Sequence, residues 1–440
     1  MMHTTKVRKL IALAAALPLV AVMAACGDNG GDNGGTTGDG DSTGGNKLTV
    51  WCWDPAFNLY AMEEAEKIYQ KDHPDFELEI VETPWDDLQT KLITLAQSKQ
   101  TSELPDIFLM QNNAFQKNVI SYPELFTAFT DSGLDYGQYP PGIVAYSTID
   151  GVNYGVPFDN GAAIDALRTD VLAEAGYTID DFTGITWEEY ITLGKDILAK
   201  TNHPIMSGEA GGADLPMMML QSAGASLFDA DGNPTIVGNE ALLKSIDIFK
   251  QLVDSGVMVQ VNSWDEYISS FVNGTVAGTI NGSWIIGSIT TAQDQSGNWD
   301  ITDLPKLEGV SGATNFSANG GSSWAVSSNA DVDLAMDFLK ATFAGSTELY
   351  DIILPSSGAV ANWLPAGDSA VYGEPQEFFG GDAIFAKIID FVAKVPSNNT
   401  GVFYYEARDA VSDAITQILG GADVTTALQE AQDIVEFAMQ

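Results

Sequence analysis

After residue 46, hydrophobic and polar positions follow a repeating order that predicts strands and helices in turn. Residues 48–53 form a short apolar, β-rich run typical of a buried strand. A helical apolar period follows and stops before Pro74, and residues 76–80 then alternate apolar and acidic side chains, as a strand with one exposed face does. Thr83 and Pro84 predict the start of another helix with Thr83 as its cap, and residues 106–110 predict a third strand. This alternation favours an α/β domain with a parallel sheet, whose ligands bind at the carboxyl ends of strands.

Amphipathic periodicity predicts further helices later in the chain. Thr186 and Glu189 have the spacing of a capping box, which indicates that a helix begins at Trp187. Other helices are predicted at residues 240–255, 331–344, 404–419 and about 425–439. Met217, Met218 and Met219 favour a buried helix over a soft binding surface.

The first 46 residues have a different pattern, which predicts export. A basic start precedes an apolar run at residues 10–25, and small residues end that run before Cys26, as in a secretory signal peptide. The cysteine in this place resembles a bacterial lipobox, which implies cleavage before Cys26 and a lipid on its sulfur. An uncleaved transmembrane anchor is the alternative, but the run is shorter than the roughly 20 residues that a bilayer requires.

Residues 27–46 contain nine glycines and four aspartates but no apolar side chain, which predicts a flexible tether. We therefore interpret residues 1–25 as the signal peptide and residues 26–46 as the lipidated cysteine and tether. Such a protein is held on the extracellular face of the cytoplasmic membrane.

The charge balance restricts the possible ligands. The chain has 19 basic and 60 acidic residues, a formal net charge of −41. Nucleic-acid binding is disfavoured because phosphate backbones require a basic surface, and anionic ligands meet an unfavourable field. A neutral polar ligand is compatible with this charge.

Residue types suited to catalysis or metal binding are few. His73 and His203 follow the leader, and neither has the spacing of a metal ligand. Cys52 lies in an apolar stretch, which favours a buried, inert thiol over a nucleophile. A glycosidase uses a pair of carboxylates, but among 60 acidic residues such pairs in the sequence neither indicate nor exclude this activity. A glycoside hydrolase therefore stays an alternative.

A series of short motifs occurs in order along nearly the whole chain. They are Leu48-Thr-Val-Trp-Cys-Trp53, Pro105-Asp-Ile-Phe-Leu-Met110, Tyr154-Gly-Val-Pro-Phe158, Ala173-Glu-Ala-Gly176 with Thr186-Trp187, Phe271-Val-Asn-Gly-Thr-Val-Ala-Gly278 with Asn281-Gly-Ser-Trp284, and Gly320-Gly-Ser-Ser-Trp-Ala-Val-Ser327. In number, order and spacing they resemble the extracellular carbohydrate-binding proteins of ABC transporters, the class that includes maltose-binding protein.

The resemblance implies an α/β, two-lobe periplasmic-binding-protein-like fold. Each lobe would be a mainly parallel sheet flanked by helices, with a ligand cleft between the lobes. One lobe would take residues 47–157 and 316–372, and the other residues 158–315 and 373–440. The protein would be a monomer without a cofactor or metal. It would capture a neutral oligosaccharide and deliver it to membrane permease subunits, and it would not be an enzyme. A receptor for a solute other than a sugar stays a second alternative.

Sugars have apolar C–H faces and rings of hydroxyls, which aromatic faces and polar side chains at element ends can bind. Strand ends and the resemblance together predict thirteen ligand contacts: Trp53, Asp54, Asn112, Asn113, Phe158, Asp159, Asn160, Trp284, Gly320, Gly321, Tyr404, Tyr405 and Arg408.

These predictions differ in their basis. Trp284 matches a family tryptophan that packs on a sugar ring, although Ser283 replaces the usual proline. Tyr404 matches a sugar-stacking tryptophan, and Asn113 aligns with an acidic contact residue. Packing in the core is the alternative for Trp53 and for the segment 404–408, and helix capping is the alternative for Asn112 and Asn113. A core position is predicted for Trp51, Trp187 and Trp324.

Overall fold

The computed structural model describes residues 45–396 and 400–440. The predicted signal peptide, Cys26 and nearly all of the predicted tether lie outside the described residues. None of the helices in the described ranges combines the length and apolar character that a membrane span requires.

The described residues form twelve strands and sixteen α-helices, joined by short 3₁₀ turns and a π-helical turn at Pro55–Leu59. The strands are β1 (Lys47–Cys52), β2 (Glu77–Glu82), β3 (Ile107–Gln111), β4 (Thr148–Ile149), β5 (Val152–Asn153), β6 (Val156–Asp159), β7 (Ala163–Arg168), β8 (Met206–Glu209), β9 (Met258–Val261), β10 (Gly278–Gly282), β11 (Trp299–Thr302) and β12 (Ser322–Val326). The helices are α1 (Tyr60–Tyr69), α2 (Trp85–Ser98), α3 (Asn112–Ser121), α4 (Pro141–Tyr146), α5 (Thr169–Ala175), α6 (Trp187–Thr201), α7 (Asp214–Ser222), α8 (Glu240–Asp254), α9 (Trp264–Val272), α10 (Ile286–Thr290), α11 (Val332–Ala341), α12 (Thr347–Ser357), α13 (Leu364–Gly367), α14 (Ile384–Val392), α15 (Tyr404–Leu419) and α16 (Val424–Ala438).

The first lobe is built on a five-stranded sheet with the order β2-β1-β3-β12-β6. Strand β1 runs parallel to β2 and β3, as the alternation of strands and helices predicts. Strand β12 runs antiparallel to β3 and β6. The direction follows from where β12 starts: β3 ends at Gln111, β12 begins beside it at Ser322, and the two strands therefore run opposite ways.

The second lobe has a three-stranded sheet with the order β10-β7-β11, beside the parallel pair β8 and β9. Both neighbours of β7 are antiparallel to it, which differs from the mainly parallel sheet expected. The antiparallel direction follows from where the chain enters the second lobe. Strand β7 begins at Ala163, where the chain enters this lobe, and β10 ends at the same edge with Gly282 opposite Ala163.

Each lobe has its own apolar core. In the first lobe, Trp324 and Phe158 lie within 5.4 Å of each other, measured between ring centroids, and both are fully buried. In the second lobe, Trp187 is fully buried and packs edge-on against Tyr190 at 5.5 Å. The core positions predicted for Trp187 and Trp324 are confirmed, and the thiol of Cys52 is buried as predicted.

Local capping signals are confirmed at one helix and wrong at another. Thr186 and Glu189 form the predicted capping box at the start of α6, where the Glu189 carboxylate accepts the Thr186 backbone N–H at 2.8 Å. Thr83 does not cap α2, because Pro84 occupies the N-cap position and the buried Thr83 hydroxyl donates to the carbonyl of Val81 at 3.3 Å.

Candidate functional site

Three chain segments run side by side where the two lobes meet. The segment after β6 pairs with the segment before β12: the Asn319 N–H donates to the carbonyl of Gly161 at 2.7 Å, and the Ala163 N–H donates to that of Ser317 at 2.9 Å. A third segment follows α12, and the Asn160 N–H donates to its Val360 carbonyl at 3.1 Å. A side chain reinforces the pairing, since Asn362 Nδ2 donates to the carbonyl of Asp159 at 2.5 Å. These segments connect the lobes, so changes in their φ and ψ can rotate one lobe against the other.

A cavity of about 520 Å³ lies beside these segments and is lined by both lobes. Its walls in the first lobe come from the start of α3 and from α4, and in the second lobe from the end of α7, the loop before α15 and the first residue of α15. Seven of the predicted contacts line it: Asn112, Asn113, Asp159, Asn160, Gly320, Gly321 and Tyr404.

Carboxamides dominate the polar part of the lining. They are Asn112, Asn113, Gln116, Asn160, Gln221 and Asn319, and the described lining contains no lysine or arginine. A carboxamide both donates and accepts hydrogen bonds, so this set suits a ligand rich in hydroxyl groups.

The first two of these carboxamides differ in how they are held. Asn112 is fixed, because its Oδ1 accepts the Ser323 hydroxyl at 2.8 Å and its backbone N–H donates to Gly321 at 3.0 Å. Asn113 Oδ1 is buried and has no hydrogen-bond partner among the described residues. Asn113 therefore retains an acceptor without a partner among the described residues, in a residue that lines the cavity.

Two glycines allow the segments between the lobes to approach each other closely. A Cβ at Gly161 would lie 2.1 Å from the carbonyl oxygen of Asn319, so a larger residue would push the paired segments apart. Gly321 has φ +90°, in the left-handed region, and a Cβ there would lie 3.0 Å from Asn112 Nδ2. The glycines therefore shape the cavity wall through the absence of side chains.

Asp159 is the carboxylate of the cavity lining. It is buried at the end of β6, and its Oδ1 accepts the hydroxyl of Ser322. Burial raises the pKa of Asp159 to about 6, although the hydrogen bonds from Ser322 oppose this shift.

Two tyrosines supply the aromatic surface of the cavity, Tyr404 on the second lobe and Tyr146 on the first. Both are partly buried, and burial raises the pKa of each phenol, so both are neutral donors at physiological pH. Tyr146 was not among the sequence predictions.

Residues 64–353, about two thirds of the chain, match the model of a family described as bacterial extracellular solute-binding proteins. A lactose-binding protein of Rhizobium radiobacter is 36% identical over 388 residues, which cover 88% of this chain and 92% of that protein. The chain belongs to the extracellular solute-binding protein family. The family resemblance of its motifs is thereby confirmed.

Solved structures agree on the fold of this solute-binding protein. An ABC transporter associated binding protein from B. animalis subsp. lactis Bl-04, in complex with β-1,6-galactobiose, has a TM-score of 0.75 at 19% identity and covers 90% of this chain and 96% of its own. The lacto-N-biose complex of a binding protein from Bifidobacterium longum has a TM-score of 0.73 at 21% identity, with coverages of 92% and 98%. The two-lobe α/β fold is confirmed, and these relatives are binding proteins rather than enzymes.

Six predicted contacts do not line the cavity, and the prediction for Phe158 is wrong. Its ring is fully buried in the core of the first lobe, against Phe57, Trp324 and Phe343. Inward and outward positions alternate along a strand, so Phe158 points away from its neighbour Asp159.

Trp53 and Asp54 follow β1 as expected, but both side chains have partners in their own lobe. Trp53 packs on Trp85 with ring centroids 5.0 Å apart. Asp54 caps the π-helical turn that follows, and its Oδ1 accepts the Ala56 N–H at 2.9 Å. The carboxylate of Asp54 therefore has a structural role.

Trp284 borders the cavity without lining it. Its indole N–H donates to the carbonyl of Asn319 at 2.9 Å, and a Cβ at Gly320 would lie 3.4 Å from the same nitrogen. The ring also packs against apolar side chains of both lobes. Its predicted stacking on a sugar stays a prediction.

Tyr405 and Arg408 lie on α15, outside the cavity lining. Arg408 Nε donates to Asp214 Oδ1 at 3.0 Å, and the guanidinium lies 5.6 Å from the centroid of the Tyr405 ring. Tyr405 reaches the first lobe, where its hydroxyl donates to Gln111 and its ring lies 6.1 Å from that of Trp85. These two residues therefore connect elements around the cleft.

The sequence predictions did not include three carboxamides and one tyrosine of the cavity lining: Gln116, Gln221, Asn319 and Tyr146. Gln116 lies one helical turn after Asn112 and Asn113, so the helical period alone could have indicated it. Asn319 directly precedes the predicted contacts Gly320 and Gly321, so its position was a second available signal. Tyr146 and Gln221 lie on elements that meet only across the interface between the lobes, and the sequence contains no local signal for them.

Proposed function

We propose that this solute-binding protein captures a neutral disaccharide or short oligosaccharide in the cavity between its lobes and delivers it to an ABC permease. The observation that supports this most is the lining itself, with six carboxamides, two tyrosines and no basic side chain among the described residues. Hydroxyl groups satisfy carboxamides, tyrosine rings cover the C–H faces of sugars, and an anionic ligand would find no counter-charge. The volume of about 520 Å³ lies within the range of small-molecule sites, roughly 300–1,000 Å³.

Lactose is the first ligand to test. The relative that is 36% identical over most of the chain is a lactose-binding protein, and two structures of the same fold contain the disaccharides β-1,6-galactobiose and lacto-N-biose. Lactose and β-1,6-galactobiose share a terminal galactose in β-linkage, which is the feature we expect the site to bind.

Binding would stabilise the closed arrangement of the two lobes. Both lobes contribute to the lining, so a ligand that contacts Asn113 of the first lobe and Tyr404 of the second binds the closed form more tightly than the open one. The closed form would then be recognised by the permease.

The receptor would act on the cell surface and would not change its ligand. Cys26 would carry the lipid, and residues 27–46 would allow the soluble part to reach the permease as a monomer. Cys26→Ala should abolish labelling with radioactive lipid and release the protein or leave it as a precursor. Equal labelling of the Cys26→Ala protein would refute the anchor.

Isothermal titration calorimetry tests the ligand class directly. Lactose and β-1,6-galactobiose should bind, whereas a disaccharide of the same size that contains a uronic acid should not. Chromatography of the sugars after long incubation should recover them intact, and shorter products would favour the glycoside hydrolase. Phe437→Ala is a matched control, because this ring is 77% exposed on α16 and lines no part of the cavity. Loss of binding in Tyr404→Ala but not in Phe437→Ala would place the sugar in the cavity.

A further inference from the structure

Asp159 is the residue at which the three segments between the lobes meet, and these segments together form the hinge. Asp159 ends β6, where the first segment begins. Its side chain accepts the hydroxyl of Ser322, where the second segment ends, and its backbone carbonyl accepts Asn362 Nδ2 of the third segment at 2.5 Å. Its backbone also pairs with both segments, opposite Ser322 in the sheet and beside Ala361 in a single bridge. One residue therefore joins all three segments of the hinge at the cavity wall.

The same hydrogen bonds connect Asp159 to a carboxamide of the cavity. Ser322 and Ser323 are consecutive on β12, and while the first donates to Asp159, the second donates to Asn112 Oδ1 at 2.8 Å. The preceding residue, Gly321, is close to both partners: a Cβ there would lie 3.0 Å from Asn112 Nδ2 and 3.3 Å from the carbonyl oxygen of Asp159. A shift of β12 against Asp159 would therefore also move Asn112.

The carboxylate of Asp159 has hydrogen-bond donors around it but no positive charge. The residue is 2% exposed, and the hydroxyl and N–H of Ser322 donate to it. The titratable groups that face it are phenols: Tyr350 of α12 acts on its charge, and Tyr146 and Tyr404 lie in the same cavity lining. Burial raises the pKa of all three phenols, so they are neutral near pH 7. The described lining contains no lysine, arginine, histidine or second acid, so an ionised Asp159 is costly to bury.

We propose that Asp159 is a positioning residue, which joins the three segments of the hinge and makes closure of the lobes on the ligand depend on pH. In the closed arrangement the carboxylate is shut off from water, whereas rotation of the lobes apart opens the cavity wall and hydrates the anion. Closure therefore favours the protonated acid, and by linkage the proton favours closure by the same factor. This coupling does not require that Asp159 touch the sugar. The inference rests on the proposed function.

The size of the coupling follows from the two environments of the carboxylate. Burial raises the pKa of Asp159 to about 6, against about 4 for an aspartate in water. A group whose pKa is raised in the closed form stabilises that form at low pH, and this contribution is lost as the pH rises through 6. From pH 7 to pH 5 the affinity for a neutral ligand should therefore rise by up to about tenfold.

Calorimetry with lactose at pH 5, 6 and 7 tests this coupling on four proteins. They are the wild type, Asp159→Asn, Ser322→Ala and the control Asp75→Asn, whose side chain is exposed in a turn before β2. Burial also raises the pKa of Glu209 and Asp409 on the second lobe, so the comparison between proteins, and not the wild-type profile alone, isolates Asp159.

The two hinge variants should change the profile in different ways. Asparagine reproduces the neutral acid and still accepts from Ser322, so Asp159→Asn should bind up to about tenfold more tightly than the wild type at pH 7 and show a smaller rise at pH 5. Ser322 does not line the cavity, and its hydroxyl stabilises the anion. Ser322→Ala should therefore move the midpoint of the pH profile upward. Asp75→Asn should behave as the wild type.

Circular dichroism at each pH establishes that the four proteins are folded. Weaker binding by Asp159→Asn at pH 7 would overturn the proposal and make Asp159 a ligand contact, because a sugar hydroxyl donates more strongly to an anion. Equal pH profiles in all four proteins would also overturn it.

Failure of the proposed function can be told apart from failure of the hinge. If lactose and β-1,6-galactobiose do not bind the wild type, the proposed function fails, and small-angle X-ray scattering of the ligand-free protein then tests the hinge. The radius of gyration should decrease from pH 7 to pH 5 in the wild type and not in Asp159→Asn. The same radius at both pH values in the wild type, or the same decrease in both proteins, would overturn the role of Asp159.

Discussion

Helix α15 of the second lobe begins with residues that bind the first lobe across the cleft. The Tyr405 hydroxyl donates to Gln111, and the Glu406 carboxylate forms an ion pair with Lys117. We expect the double variant Tyr405→Phe with Glu406→Gln to weaken ligand binding, because both contacts join the two lobes and opening of the cleft would break them. Neither contact stabilises the core of a single lobe, so the free energy of unfolding should change little.

The size of the effect follows from the two contacts. A neutral hydrogen bond contributes about 0.5–1.5 kcal/mol net. The ion pair is partly exposed, with 35% and 23% of the two side chains accessible, so it is screened and contributes about 0.2–1 kcal/mol. Together they favour the closed form by about 0.7–2.5 kcal/mol, which corresponds to roughly three- to seventyfold in affinity.

Calorimetry measures the affinity, and small-angle X-ray scattering measures the radius of gyration with and without ligand. The double variant should need more ligand to reach the compact form. The charge exchange Lys117→Glu with Glu406→Lys is the matched control and should restore most of the contribution of the ion pair. Wild-type affinity and an unchanged scattering titration in the folded double variant would refute the assignment of these contacts to closure.

Three further predictions concern single residues. Trp284→Ala should weaken binding of the sugar that the wild type binds by about 2 kcal/mol, or roughly thirtyfold, and Tyr404→Ala should weaken it somewhat less. Unchanged affinity in a folded variant would remove that residue from the site. Trp187→Ala should lower the free energy of unfolding in denaturant titrations by about 3–5 kcal/mol, since its ring is fully buried, while the folded protein keeps its affinity. Because burial raises the pKa of Asp159 to about 6, its contribution to stability is fully present below about pH 4 and is lost as the pH rises through 6, by up to about 3 kcal/mol. Asp159→Asn should flatten this part of the pH dependence of unfolding, and an unchanged profile would contradict the assignment.

Two residues show what a local rule can locate. Asn112 and Asn113 follow a buried strand, the rule that ligands bind at strand ends selected them, and both line the cavity; their contact with a ligand stays a prediction. The same rule selected Asp54, whose carboxylate is used by a nearby backbone N–H, because the rule locates a backbone position and not the partner of a side chain.

The sequence by itself determined the elements and the family. Amphipathic periodicity depends on neighbours within one or two turns, so the predicted helix at residues 404–419 coincides with α15, Tyr404–Leu419. Ordered motifs likewise identified the two-lobe solute-binding fold, since they mark turns and strand ends that each lobe requires.

Only the tertiary structure decided the direction of β7 and β12. It also decided which residues line the cavity. Tyr146, Gln221 and Asn319 come from three separate parts of the chain, and they meet because the paired segments at Gly161 and Asn319 hold the two lobes beside one cavity. A local sequence pattern does not predict these contacts. The free energy that brings such residues together comes from packing and hydrogen bonds between residues far apart in sequence. The sequence therefore specifies which side chains are available for binding, and the crossing of the chain between the lobes decides which of them share one cavity.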